Sequence, residues 1–362
     1  MIFFRLRSCE ASFINSYSIS MNGLAIYRML YSLYVLAAVA PVALWVPLVP
    51  QSYYSPPLGI AAFFPAAPSR EVLWLLNAVL ILFSTMLLLG WKTRFSSLGT
   101  AFSIILLNTW CYSFSKINHD ILQVIVPLVL AFSDWGKSIS LDSLKTMSRE
   151  ERRQSIPWPL ALLSLLVGTA MLTAGAAKLL SGWLDDDKLC TLGHLWTICV
   201  GDHVESRFGM QLLQVQSYFL WKAADWLTVA LECLLIVTAV HRRLFCFTLA
   251  VFLLFHLGVL LSFGIAFPFN VIAYGAFFDW NKVPLLKRLP SRPLWEVFIF
   301  FLSIAVFVQS AIFLSMITNQ DVVEAIVWIG AIAGLAYISW EVKRAAGINH
   351  GIDVAEAHGN LG

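Results

Sequence analysis

Apolar residues in this chain run in long blocks and do not alternate with polar ones. Blocks of about 17–25 residues recur at about 24–46, 71–90, 95–114, 119–135, 157–180, 217–240, 244–262, 264–280, 294–317 and 322–340. Each is long enough to cross a ~30 Å hydrocarbon core as a helix. The period-two signature of barrel strands is absent. The pattern predicts an all-α, polytopic α-helical membrane protein with about ten transmembrane segments. Only Phe263-Gly264 separates the seventh segment from the eighth, so a re-entrant pair is the alternative there.

Composition removes the competing classes. Of 362 residues, 59% are apolar and 12% charged, against about 25% charged in a typical soluble domain. Soluble cores stop growing near ~250–300 residues, and a folded surface needs polar cover. A soluble enzyme, a disordered chain and a nucleic-acid binder are therefore excluded. The net charge of +3 gives no reason to expect an acidic partner.

Orientation follows from the connections. With a cytoplasmic N-terminus, seventeen Lys and Arg residues, Lys92, Arg94 and Lys137 among them, fall on the inner side and four on the outer side. That bias predicts both termini in the cytoplasm. Residues 1–21 lack the apolar core of a cleavable signal and are expected to be a lead-in. Residues 22–281 carry the bulk of the membrane domain, 282–341 two additional helices and 342–362 a cytoplasmic tail. The basic inner loop 136–156 is expected to hold a short helix lying on the membrane surface.

Ionisable groups at membrane depth cost at least ~2.5–3.5 kcal/mol each and need a reason. Lys178 closes the fifth segment above a strip of small residues that includes Gly168, Ala174 and Gly175, which a neighbouring helix or a flat ligand could approach closely. The alternative is a lysine snorkelling to the outer headgroups beside Trp183. His119 opens the fourth segment after Asn118, while Asn108 and His256 occupy the outer halves of the third and seventh. Lys222 and Asp225, three apart on the sixth, are expected to neutralise each other. Arg28 and Glu232 are expected toward the inner side as a packing pair. Lys178, His119, His256, Asn108 and Lys222 share the outer half of the membrane, which suggests one cavity. Cys190 and Cys199 share an outer loop and could form a disulfide. No cysteine or histidine spacing indicates a metal site, and no phosphate-binding or hydrolase motif is present. Gly330 and Gly334 form a small-residue helix-packing motif.

Several of these residues fall into recognisable runs. They are Ala25-Ile26-Tyr27-Arg28, Gly90-Trp91-Lys92-Thr93-Arg94, Asn118-His119, Ala174-Gly175-Ala176-Ala177-Lys178-Leu179 followed by Trp183, and His256 followed by Phe267-Pro268 and Phe278-Asp279-Trp280. Together the set resembles the horizontally transferred transmembrane (HTTM) domain, which is shared with the vitamin K-dependent gamma-carboxylases. The resemblance implies that Lys178 is a base acting on reduced vitamin K or menaquinol and that His119 stabilises an anionic intermediate. It departs from the carboxylases in two respects. Ala177 stands where they carry a first lysine, and the large lumenal region that binds their protein substrate has no counterpart, which puts peptide carboxylation in doubt.

Two functions remain open on sequence. One is quinol-dependent oxygenation or carboxylase-like chemistry, with membrane lipids and quinone as partners. The other is a non-enzymatic membrane protein that binds, matures or exports a small secreted peptide or toxin; under either, a bacterial inner membrane is the expected location.

Overall fold

The structure is a computed structural model, and it describes residues 10–115, 120–144 and 154–346. Among these the chain is helical, with one isolated bridge between Ser20 and Gln154. The helices are α1 (Met21–Tyr34), α2 (Arg70–Leu89), α3 (Thr93–Tyr112), α4 (Ile121–Leu130), α5 (Trp158–Leu180), α6 (Cys190–Trp196), α7 (Tyr218–Thr238), α8 (Arg242–Phe263), α9 (Pro268–Gly275), α10 (Leu294–Phe313) and α11 (Asn319–Ala345). Among the described residues, six stretches are long and apolar enough to cross a membrane: α1 with its extension to Val39, α2, α5, α8, α10 and α11. Helices α3 and α7 have the length, at 20 and 21 residues, but carry more polar side chains.

The fourth and eighth expected segments differ most from the sequence reading. Helix α4 has 10 residues and α9 has 8, or about 15 and 12 Å of rise, too short to cross as helices. The stretch from Asp120 to Gly136, which includes α4, nevertheless runs the length of α3. Asp120 just before α4 accepts bonds from Asn108 and Tyr112 at one end of α3, and Gly136 after it packs on Thr93 at the other. Pro127 lies inside α4. It lacks the N–H that would bond Gln123 O, and Tyr31 Oη donates to that carbonyl instead at 2.6 Å. Of the loop expected to form a surface helix, residues 136–144 are turns, and 145–153 lie outside the described residues.

Two compact units divide the chain. The first holds residues up to Val167 together with Ile272–Val322. Helix α1 is its centre, 72% of the stretch being buried, which agrees with the aromatic core of Tyr17, Tyr27, Tyr31, Trp135 and Phe277. A five-residue wide turn at Val35–Val39 ends α1. Gln309 on α10 donates to the carbonyls of Leu36, Ala37 and Ala40 there, because backbone left open in an apolar setting needs a partner.

The second unit holds Gly168–Val271 and residues from Val323. Its helices pack on small residues. A Cβ on Gly334 would lie 2.8 Å from Ala250 O, and one on Gly330 would lie 3.1 Å from Leu253 Cδ2, so α11 rides directly on α8. The Gly330–Gly334 motif therefore acts as helix packing. Large apolar side chains such as Ile329, Ile332 and Leu335 point outward from α11, as a lipid-facing helix requires.

Candidate functional site

The small-residue strip of α5 sets the geometry. A Cβ on Gly168 would lie 2.9 Å from Ile236 Cα, and one on Gly175 would lie 2.8 Å from Cys233 Sγ and 3.1 Å from Glu232 Cβ. Backbones this close require glycine, so α7, and no flat ligand, occupies the strip. One turn beyond Gly175, the Lys178 amine meets the Glu232 carboxylate, with Nζ 2.7 Å from both oxygens. The side chains are 22% and 10% exposed. Trp183 completes the setting, its ring centre 5.3 Å from the ammonium, within cation–π range.

The register of this contact bears on the two readings of Lys178. Glu232 lies fourteen residues into α7, about 21 Å of helix rise beyond Tyr218. A snorkelling lysine would extend to water and phosphate, whereas this one turns onto a carboxylate deep along a neighbouring helix. The expected pairing of Arg28 with Glu232 is corrected at the same point, since Glu232 belongs to Lys178. The α5 terminus is offset along α7, so equal distance from a loop did not mean equal depth.

Arg28 has a different task. It is fully buried, and its guanidinium donates to Trp135 O at 2.7 Å and Ile139 O at 2.5 Å, with longer contacts to Ser138 O and Leu88 O. These carbonyls belong to the end of α2 and the turn after α4, so the fork binds two connections together. Gly90 makes room for it with φ +64; a Cβ there would lie 2.9 Å from Arg28 Nη1. Asp142 accepts from Lys92 N, Thr93 N and Thr93 Oγ1, capping α3. Ser20 donates to Asp279 at 2.6 Å, and Trp280 Nε1 donates to Gly275 O. Three of the sequence runs thus build one structural knot around the start of α1.

The remaining site residues occupy separate settings. Lys222 pairs with Asp225 at 3.9 Å, as expected from their spacing. It also donates to the carbonyls of Trp183, Asp185 and Lys188, while Asp225 accepts from Cys190 N and Thr191 N. Lys222 and Asp225 thus anchor the loop that carries Trp183. His256 is buried among Phe252, Phe255 and Phe267, with Nε2 3.4 Å from Asn270 Nδ2. Asn108 belongs to the other unit and holds Asp120 through Nδ2 at 3.1 Å. Asn118 and His119 lie outside the described residues. The structure therefore joins Lys178 to Glu232, a residue to which the sequence reading gave no chemistry, and gives Asn108, Lys222 and His256 partners of their own.

The expected Cys190–Cys199 disulfide is not formed. Both thiols are free, and they occupy one helical stretch from Cys190 to Gly201. Nine residues of rise, about 13 Å, exceed the ~7 Å a bridge can span. Burial and the neighbouring Asp225 push the Cys190 thiol above its usual range. Among the described residues no His, Cys, Asp and Glu cluster is placed to hold a metal. A cleft of about 310 Å³ lies in the first unit, lined by Thr93, Arg94, Phe132, Lys137 and Trp158, and involves none of the expected site residues.

Comparison with known proteins agrees with the family motifs. Searches of curated proteins and of solved structures return no match. The HTTM domain, however, matches residues 18–282, which include both the structural knot and the Lys178–Glu232 pair. The chain belongs to the HTTM domain family and is an integral membrane protein of it.

Proposed function

We propose that this HTTM protein performs proton-transfer chemistry on a reduced, lipid-soluble quinone, with Lys178 as the proton acceptor and Glu232 as its exchange partner. The observation that carries the reading is the 2.7 Å contact of the amine with both carboxylate oxygens between two apolar helices. An ion pair in such surroundings is costly to maintain. Shifting one proton from Nζ to Glu232 leaves a neutral amine and a neutral acid. The amine then has a lone pair with which to take a substrate proton, the role a base requires.

The residues fit such a molecule. A phenolic hydroxyl suits the amine–carboxylate pair, an aromatic ring suits Trp183, and the exposed Leu179 and Leu180 beside it suit an isoprenoid chain. When bound, a quinol supplies an acidic hydroxyl and two reducing electrons. The protein's part is to hold and move the proton at Lys178 Nζ and to exclude water from it. By the family resemblance, His119 is assigned electrostatic support of the developing anion. Carboxylase-like use of the quinol, residence in a bacterial inner membrane and cytoplasmic termini complete the reading, the last resting on the seventeen-to-four charge bias.

The test uses purified protein in lipid vesicles supplied with reduced vitamin K or menaquinol. Wild type should consume oxygen in a quinol-dependent manner, and folded Lys178→Ala should not. Absence of turnover by wild type would reject the enzymatic reading and leave the peptide-binding one.

A further inference from the structure

The connection between α1 and α2 has an unusual surface. Between Arg28 and Arg70 no residue is charged. In the stretch 41–69, Leu58 is 103% exposed, Phe63 87%, Leu48 81% and Tyr53 68%. The segment 184–188 is the contrast, with exposed Asp185, Asp186, Asp187 and Lys188. Apolar side chains displayed together in this way mark an interaction surface.

The backbone is equally adapted. Seven prolines in the stretch remove seven amide donors. Short turns at Val46–Leu48, Gln51–Tyr53 and Ile60–Phe63 use others, with Leu48, Val49, Tyr53, Tyr54, Ala62 and Phe64 N–H groups all bonded within the loop. Ser55 N donates to Ser113 O at 2.8 Å. The stretch is also pinned down: Tyr54 Oη donates to Ala61 O, Phe64 packs edge-on against Trp110, and Trp45 and Tyr54 pack on Phe114. The prolines and these bonds reduce the number of amide donors that water or headgroups must satisfy, which suits non-helical backbone lying at the headgroup boundary.

Depth supplies the occupant. Asn77 exchanges two 2.6 Å bonds with the Val42 backbone. Asn77 lies seven residues beyond Arg70, about 10 Å of helix rise along α2, so the loop leaves α1 below the polar level that Arg70 and Glu71 mark. Exposed Val72, Trp74 and Leu75 on the first turns of α2 continue its apolar surface.

We propose that residues 41–69 form an interfacial element seated in the bilayer leaflet beside α2, with phospholipid as the occupant of its apolar face. Leu48, Leu58 and Phe63 enter the acyl region, and the proline-rich backbone lies at the headgroup boundary.

The test places the photo-crosslinker p-benzoylphenylalanine at Leu58, at Phe63 or, as a control, at Asp187 in the full chain reconstituted in phosphatidylcholine–phosphatidylglycerol vesicles. All three positions face outward, so the replacement is accommodated. After irradiation, mass spectrometry should show at least five-fold more phospholipid adduct at Leu58 and Phe63 than at Asp187. Adduct yields equal to that at Asp187, or crosslinks to a second copy of the chain in place of lipid, would overturn the proposal. The result does not depend on any activity of Lys178.

Discussion

Replacing the two members of the Lys178–Glu232 pair by near-isosteric uncharged residues gives a quantitative handle on the site. Lys178→Met leaves a carboxylate that is 10% exposed without its cation, and Glu232→Gln leaves an ammonium that is 22% exposed without its anion. Removing one partner of a buried pair costs about 3 kcal/mol, toward the lower end of the usual range because the lysine keeps some access to solvent. The double variant removes both charges together and should lie within about 1 kcal/mol of wild type. With about 3 kcal/mol for each single variant, the coupling should then be on the order of 5–7 kcal/mol, roughly ten-thousand-fold in the folding constant at its midpoint. The comparison that decides is with neutral interhelical hydrogen bonds in membranes, which average about 0.6 and reach about 1.7 kcal/mol. Reversible unfolding of the four proteins in mixed micelles, followed by helical circular dichroism, measures the cycle. A coupling of about 0.6 kcal/mol or less would refute a charged contact at this position.

Three further outcomes follow from particular contacts. Gly168→Ala and Gly175→Ala should each lose about 1–3 kcal/mol by overpacking, since their Cβ atoms would meet Ile236 Cα at 2.9 Å and Cys233 Sγ at 2.8 Å; Gly193→Ala, inside α6 with nothing within 4 Å, should lose nothing and gain up to about 1 kcal/mol in the same unfolding assay. Cys190 should alkylate without reductant, and its rate should rise at higher pH than in the unfolded chain, because burial and Asp225 raise its pKa and only the thiolate reacts; site-resolved mass spectrometry showing an unshifted profile would contradict this. A reporter fused after Gly362 should read cytoplasmic and one inserted near Asp202 external, while a cytoplasmic signal at Asp202 would overturn the charge-based topology.

Much of the fold was legible because apolar block length reports helix length directly. Where it failed, local chemistry was the cause. The blocks at 119–135 and 264–280 stay apolar past the end of α4 and on both sides of α9, and apolar content does not say where a helix stops. Pro268, which opens α9, was the visible sign that a new helix begins there. The lysine of the site was legible from its cost at membrane depth and its small-residue strip. Its partner was not. Depth counted from loop ends placed Glu232 with Arg28, and the offset between α5 and α7 overturned that pairing. Arg28 needed no carboxylate, because the carbonyls of two connections accept from its Nη1 and Nη2.

Lys178→Arg separates the base from the strut. Guanidinium can keep the ion pair with Glu232 and so preserve the contact between α5 and α7, yet it stays protonated at any workable pH and cannot accept a proton. Quinol-dependent oxygen uptake by this variant, measured in vesicles beside wild type and matched for folded protein, should fall at least ~100-fold, the scale of a lost general base. Full activity with arginine at this position would contradict the account.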